Sequence, residues 1–323
     1  MEFILYRQYP MRMKNENVDQ IIKKYFDHLS IQKNLSDSSL STYSDDIRSL
    51  IAFLNEIHIN DFRKVDRKNI RTYLVWLSEN KINRSSISRK LSVLRTFFRW
   101  LLNEKIISEN PVPSRISIKK EQKLPRFLSI DEINRLCEIP SVHHGISEHI
   151  VFRDRAILEL FYSTGIRVSE MSGLNLEDID FSSKSLKVIG KGDKERVVYF
   201  ADLATKSLKR YLDKARGKFS RNHSSDKKAF FLSDRGNRIS IRSIQDRIKK
   251  YTKISGLDSK VHVHTLRHTF ATHLLNGGAD LRVVQDLMGH SSPYTTQIYT
   301  HVTSLEARKS YFSAHPLSGK EKK

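Results

Sequence analysis

Arg167 stands two residues past a glycine stop, in the run Ser163-Thr164-Gly165-Ile166-Arg167-Val168-Ser169-Glu170. A guanidinium at the start of a new helix can grip a phosphate through two parallel hydrogen bonds. Glu170, three residues on, can fix that arginine's orientation, although an ordinary surface ion pair would have the same spacing. A second segment, His262-Val263-His264-Thr265-Leu266-Arg267-His268, carries more. At about 100° per residue, Leu266, Phe270 and Leu274 form one apolar stripe of a helix. His264 lies well away from that stripe, and Arg267 is only about 60° around from it, so both can address one site. His273 falls beside the stripe and reads as a core histidine. A metal held by His264, His268 and His273 is the competing reading, and it lacks both an HExxH pattern and a carboxylate partner.

Asp280 to Met288 reads as a short helix with Asp280 as N-cap and Gly289 as C-cap. His290 follows at once, where the negative end of the helix favours a cationic imidazole that can donate to an anionic oxygen. A histidine chosen only to cap the helix fits the same position. Nine residues later, beyond a new helix start at Pro293, stands Tyr299. A lone tyrosine is usually a packing residue, so its neighbours must decide its meaning. Lys191 occupies hairpin-turn chemistry, Gly190-Lys191-Gly192-Asp193-Lys194, between two β-rich runs, Ser185 to Ile189 and Arg196 to Phe200. Taken alone it is a solvated turn lysine. It is no phosphate-binding Walker loop, because the required spacing to a following Gly-Lys-Ser/Thr is absent.

The elements that must position these groups fall into two parts. Four amphipathic helices are expected first. One spans about Asn17 to Lys33, with Val18, Ile21, Ile22, Tyr25, Phe26 and Leu29 inward. A second spans about Asp37 to Ile57, with Leu40, Tyr43, Ile47, Leu50, Ile51 and Leu54 inward. A third carries Ile70, Tyr73, Leu74 and Leu77. The fourth, about Ser85 to Leu102, buries Ile87, Leu91, Leu94, Phe98 and Leu101. Its outer face bears Arg89, Lys90, Arg95 and Arg99, with Ser85, Ser86 and Ser88 near its start. That face suits phosphate contacts and groove entry, or simply water. Asn110-Pro111-Val112-Pro113 then stops any helix. A basic stretch follows, with Arg115, Lys119, Lys120, Lys123 and Arg126 against the single acid Glu121. We therefore expect a helical bundle over 14–111, a linker over 112–125 that lies along DNA or in solvent, and a second domain over 126–323. The second domain opens with a capping box, Ser129 and Glu132. A helix from about Phe152 to Ser163 ends at Gly165, and residues 214–228 read as a polar, basic loop.

The whole-chain numbers limit the partner. The 323 residues are 38% hydrophobic and 29% charged, which fits a folded protein of two domains. No apolar stretch approaches the roughly 20 residues of a membrane helix. The apolar run at the start, Phe3 to Tyr6, is too short for a secretory leader, so the cytoplasm is the expected compartment. The single cysteine, Cys137, rules out an intramolecular disulfide and a cysteine-based zinc site. The net charge of +21 points to a polyanion, nucleic acid being the commonest.

Together these residues resemble the tyrosine recombinase (phage integrase-like) family, and most closely the bacterial and archaeal Xer recombinases. The likeness runs from about residue 17 to 312. It rests on TGIRVSE around Arg167, IGKGDKER around Lys191, HTLRHTFATHLL around His264 and Arg267, LMGHSS around His290, and IYTH containing Tyr299. Residues 1–13 do not match. The resemblance implies a mainly α fold with a small β-sheet (α+β). An N-terminal SAM-like, core-binding bundle and a C-terminal catalytic domain would form a C-shaped clamp around DNA. It implies that Tyr299 attacks the scissile phosphate, giving a 3′-phosphotyrosine and a free 5′-hydroxyl, with no metal, ATP or other cofactor. Arg167, Arg267 and His290 would stabilise the phosphorane, Lys191 would protonate the leaving oxygen, and His264 would assist proton removal from the tyrosine.

The partners implied are a short inverted-repeat duplex site, further copies of the chain or a second Xer-type recombinase in a tetramer on two sites, and an accessory regulator. Chromosome dimer resolution at a dif-like site is the role most in keeping with the compact length. A mobile-element integrase, a type IB topoisomerase-like relaxing enzyme and a catalytically idle DNA-binding regulator are the alternatives. Leu305, Tyr311 and Phe312 beyond the tyrosine would supply apolar anchors for docking on a neighbour, unless they cover the chain's own core.

Overall fold

A computed structural model describes residues 16–31, 35, 37–113, 126–142, 145–190, 195–219, 226–289 and 304–318. The chain divides into two compact units, Met1–Lys123 and Leu124–Lys323, each with its own apolar core.

The first unit is built from α1 (Glu16–Ile31), α2 (Asp37–Glu56), α3 (Arg67–Glu79) and α4 (Arg84–Asn103). Their inward stripes are the expected ones: Val18, Ile22, Tyr25 and Leu29 of α1 and Ile87, Leu91, Leu94, Phe98 and Leu101 of α4 are all buried. Each such side chain contributes about 2 kcal/mol by leaving water. Aromatic edges lock the centre, with Tyr25 and Phe62 meeting Phe97 at 4.9 and 5.1 Å between ring centroids. Side chains cap the helix starts: Asp66 and Asn69 form a reciprocal box on α3, and Asn83 accepts from Ser86 N on α4.

The basic face of α4 is less uniform than its spacing suggests. Asp46 of α2 is fully buried and takes both Arg89 and Lys90, the latter at 3.1 Å. Lys90 is thereby turned inward, since a buried carboxylate must be paired. Arg95 Nε and Nη2 donate to the carbonyl of Pro113 at 3.2 and 3.0 Å, which ties α4 to the Pro-rich break. Arg89 and Arg99 remain exposed. Lys119 and Lys120 lie outside the described residues.

The second unit places α5 (Ile130–Val142) and α6 (Glu148–Thr164) ahead of α7 (Val168–Gly173). The Ser129–Glu132 box is present in both directions, at 2.8 and 3.2 Å. A three-stranded antiparallel sheet follows in the order β1 (Ile179–Asp180), β2 (Ser185–Ile189), β3 (Glu195–Tyr199), with Leu186 opposite Val198 and Val188 opposite Arg196. Then come α8 (Asp202–Tyr211), α9 (Gly217–Phe219), α10 (Ile241–Ile254), α11 (Val263–Asn276), α12 (Leu281–Met288) and α13 (Ser304–Ala314). The architecture is mainly helical with one small sheet, as expected. None of the described helices is long and apolar enough to cross a membrane.

Two expectations are corrected. Residues 214–219 are not loop: α8 runs on through a π-helical turn, Leu212–Arg216, into α9. Ala215 and Phe219 are buried there and hold the charged segment to the core. The second concerns Tyr311 of α13, which is fully buried in its own chain. Its hydroxyl donates to the Ser163 carbonyl at 2.8 Å, and its ring stacks on His315 at 5.1 Å. Tyr311 therefore covers the chain's own core and is not available as an anchor on a neighbour in this state.

Candidate active site

Two glycine turns set the site's geometry. Gly165 ends α6 at φ +59°, and a Cβ there would sit 2.2 Å from the Phe270 ring of α11. Gly289 ends α12 at φ +64°, with a Cβ position 3.1 Å from the Arg196 guanidinium. Only glycine meets both the left-handed backbone and the close approach. Each turn delivers the chain to a candidate residue, Arg167 after the first and His290 after the second.

The end of α12 is held by three arginines from three different segments. The last carbonyls of a helix have no partner within it and carry the negative end of its dipole. Here Leu287 O accepts from Arg196 Nε at 3.0 Å, and Gly289 O accepts from Arg167 Nη2 at 2.9 Å. Met288 O accepts from Arg267 Nη2, whose other terminal nitrogen donates to the Gly165 carbonyl. Arg267 thus ties the turn before Arg167 to the turn before His290. It is only 7% exposed, whereas the Arg167 side chain is 35% exposed and open to a ligand.

Glu170 sets the orientation of two of these arginines. Its carboxylate accepts from Arg167 Nη1 at 2.9 Å and from the Arg167 backbone N–H at 2.7 Å. It also accepts both terminal nitrogens of Arg196, at 2.8 and 2.9 Å. Burial by itself would raise the Glu170 carboxyl, but the hydrogen bonds and charges of Arg196 and Arg167 outweigh it and hold the group below its usual range. Three guanidiniums against one saturated carboxylate leave an excess of positive charge, which suits an anion. Arg267 shows the strain of this concentration: burial first, then the charges of Arg167 and Arg196, push it down to about 10. It stays charged at neutral pH.

Glu170→Gln is expected to destabilise the second unit by roughly 3 kcal/mol at neutral pH, as for a broken buried ion pair. Because the folded carboxyl titrates below the unfolded one, this stability is complete above the unfolded value, near ~4.3. It is lost as pH falls through the folded value. Urea unfolding across that range should show wild type converging on the variant. A gap that persists undiminished in acid would contradict the assignment.

His264, on the first turn of α11, is exposed, with His262 at 5.8 Å between ring centroids. Partial burial, then the charges of His262, His268 and Arg267, lower its pKa. A neutral imidazole at pH 7 can accept a proton. His273 is a core residue: it is buried, and its Nδ1 shares a 2.9 Å hydrogen bond with the Tyr162 hydroxyl. No cluster of three potential metal ligands exists among the described residues, so the His264–His268–His273 alternative finds no geometry. Lys191, His290 and Tyr299 lie outside the described residues.

Arg196 was missed by sequence reading, which placed it only at the start of a strand. The signal was the alternation of β3. Arg196 shares a face with the buried Val198, and an inward charge demands a partner.

The comparisons agree in extent with this layout. Residues 126–306 match the phage integrase family, and residues 22–105 match the phage integrase N-terminal SAM-like domain. Tyrosine recombinase XerC of Thermodesulfovibrio yellowstonii is 41% identical over 308 residues, covering 94% of this chain and 98% of that protein. Tyrosine recombinase XerC of Anoxybacillus flavithermus is 39% identical over 301 residues, covering 93% and 99%. Among solved structures, the XerH site-specific recombinase bound to its difH substrate in a pre-cleavage complex aligns with a TM-score of 0.65 at 20% identity. That alignment covers 94% of this chain and 91% of that one, and supports the fold.

Proposed function

The chain belongs to the phage integrase family of tyrosine recombinases, and from that premise we propose how its own residues break and rejoin DNA. It is a site-specific DNA strand-exchange enzyme. The Tyr299 oxygen attacks the scissile phosphorus in line with the 5′ oxygen, forming a 3′-phosphotyrosine as the P–O5′ bond breaks. His264 takes the phenol proton, and Lys191 gives one to the departing 5′ oxygen. Arg167, Arg267 and His290 carry the added charge of the pentacoordinate phosphorus. The 5′-hydroxyl of a partner strand then reverses the step. One phosphodiester is exchanged for another, so the reaction needs neither ATP nor metal.

The observation that carries this reading is the convergence of Arg167 and Arg267 on the end of α12, two residues or fewer from His290. Three motif segments far apart in sequence meet there around an excess of positive charge.

The substrate is duplex DNA. The first domain, 14–111, grips it through Arg89, Lys90, Arg95 and Arg99, and the linker, 112–125, follows it through Lys119 and Lys120. Lys90 and Arg89 share Asp46 as a partner, but the Lys90 side chain is only 12% exposed and that of Arg89 46%, so Arg89 and Arg99 are the more accessible contacts. Four recombinase subunits act on two short inverted-repeat sites, either copies of this chain alone or together with a second Xer-type partner, under an accessory regulator. The cellular role is resolution of chromosome dimers in the cytoplasm, which the names of the relatives support over integration of a mobile element.

Recombination is separated from simple relaxation by products. Genomic DNA recovered covalently attached to the protein maps the site. A supercoiled plasmid bearing two copies should then yield resolved or inverted recombinants. Relaxed topoisomers without recombinants would instead assign the type IB topoisomerase-like activity.

A further inference from the structure

A second cationic hollow lies on the second unit, beside the N-terminal half of α6 and away from the end that leads to Arg167. It is a cavity of about 190 Å³ lined by Ser141 of α5, Phe152 and Arg155 of α6, and Leu203, Lys206, Ser207 and Arg210 of α8. Two contacts fix its location. The backbone N–H of Ala201, just before α8, donates to Ser163 Oγ at the Arg167 end of α6. The Arg210 guanidinium, near the end of α8, lies 4.6 Å from the centroid of Phe152 at the other end. The two helices therefore run antiparallel. Arg155 is nine residues before the end of α6, roughly 14 Å along the axis from the turn that delivers Arg167.

Three cationic side chains line the hollow, Arg155, Lys206 and Arg210. Arg155 Nη1 is steadied by Ser141 Oγ at 3.1 Å, while its Nη2 has no hydrogen-bond partner among the described residues. Its acid neighbour, Glu159, is buried and forms a 3.7 Å ion pair with Nε. Lys206 and Arg210 are one helical turn apart on α8, and neither forms an ion pair with a described residue. Phe152 already presents a face to Arg210, so it fixes a guanidinium and is closed to ring stacking by a ligand. Ser141 and Ser207 add hydroxyl donors.

Size and charge together narrow the ligand class. Sites for drug-sized molecules run to about 300–1,000 Å³, so this one holds a fragment. We propose that Arg155, Lys206 and Arg210, with the Ser141 and Ser207 hydroxyls, form a binding site for one or two linked phosphate groups of a small free anion, separate from the DNA-cleaving site. Forked guanidiniums and a point-charge ammonium are the groups that recognise phosphate oxygens. An anion there would join α5, α6 and α8 through side chains that line one hollow.

Inorganic pyrophosphate is the probe, titrated calorimetrically into the full-length chain at fixed ionic strength. Binding is expected to survive Arg167→Ala, which weakens any phosphate binding at the cleavage site. Lys206→Ala, an exposed change that leaves the core intact, should weaken binding about tenfold, and Lys206→Ala/Arg210→Ala should abolish it. Equal affinity in the double variant, or no binding at millimolar pyrophosphate, overturns the proposal. A third arm uses Arg167→Ala protein saturated with duplex DNA. Unchanged pyrophosphate affinity supports a free anion as the occupant. Displacement by the duplex would show instead that the hollow takes backbone phosphates of DNA.

Discussion

Arg267→Ala is expected to slow covalent adduct formation on a nicked duplex by about 10³-fold or more. Removing a single preorganised donor from a transition-state oxygen costs about 10²–10³ in rate. Arg267 does more than donate: it holds the carbonyls of Gly165 and Met288, and so the turns that lead to Arg167 and His290. Its loss leaves two carbonyls short of a partner, at about 1–3 kcal/mol each, and frees the two turns to drift. Arg267→Lys separates the two contributions. Lysine keeps the charge but lacks the planar two-nitrogen fork with which Arg267 reaches both carbonyls. It should recover some of the rate yet remain at least about tenfold below wild type, since small misplacements are costly near a reacting centre. Single-turnover cleavage, with circular dichroism confirming a folded chain, makes the measurement. An alanine variant within tenfold of wild type would contradict the role.

Much of this arrangement was legible in the residues alone because local chemistry specified it. The Ser129–Glu132 box, the Asp280 cap and the Gly165 and Gly289 stops are short-range signals, and each appears where the spacing put it. The apolar stripes of α1 and α4 likewise follow from helical periodicity. Glu170 was readable as an orienting partner of Arg167 because the two are one turn apart.

What stayed hidden depended on distant segments. The tie from Arg267 to Gly165 spans 102 residues, and nothing local announces that a helix end will be closed by arginines from three places. The inward turn of Lys90 needs Asp46, which lies 44 positions away. The helical course of Leu212–Phe219 was masked by its charges, although Leu208, Tyr211, Ala215 and Phe219 keep a three-to-four spacing. Tyr311 posed a choice that spacing cannot make. A helix that carries Tyr311 and Phe312 fits its own chain and a neighbour equally well by spacing, and the Ser163 hydrogen bond decides for its own chain here.

The largest effect is expected at Tyr299, whose phenol oxygen is, in the proposed reaction, the atom of this protein that becomes bonded to phosphorus. Phenylalanine keeps the ring and removes the nucleophile. In the proposed reaction no other side chain supplies the attacking oxygen. The most direct measurement is a denaturing gel of wild type and Tyr299→Phe on a nicked suicide duplex, in which the released 5′ fragment diffuses away. Wild type should migrate as a stable protein–DNA adduct, and the variant should bind the same duplex yet show none. An undiminished adduct in Tyr299→Phe would contradict the reaction proposed for this chain.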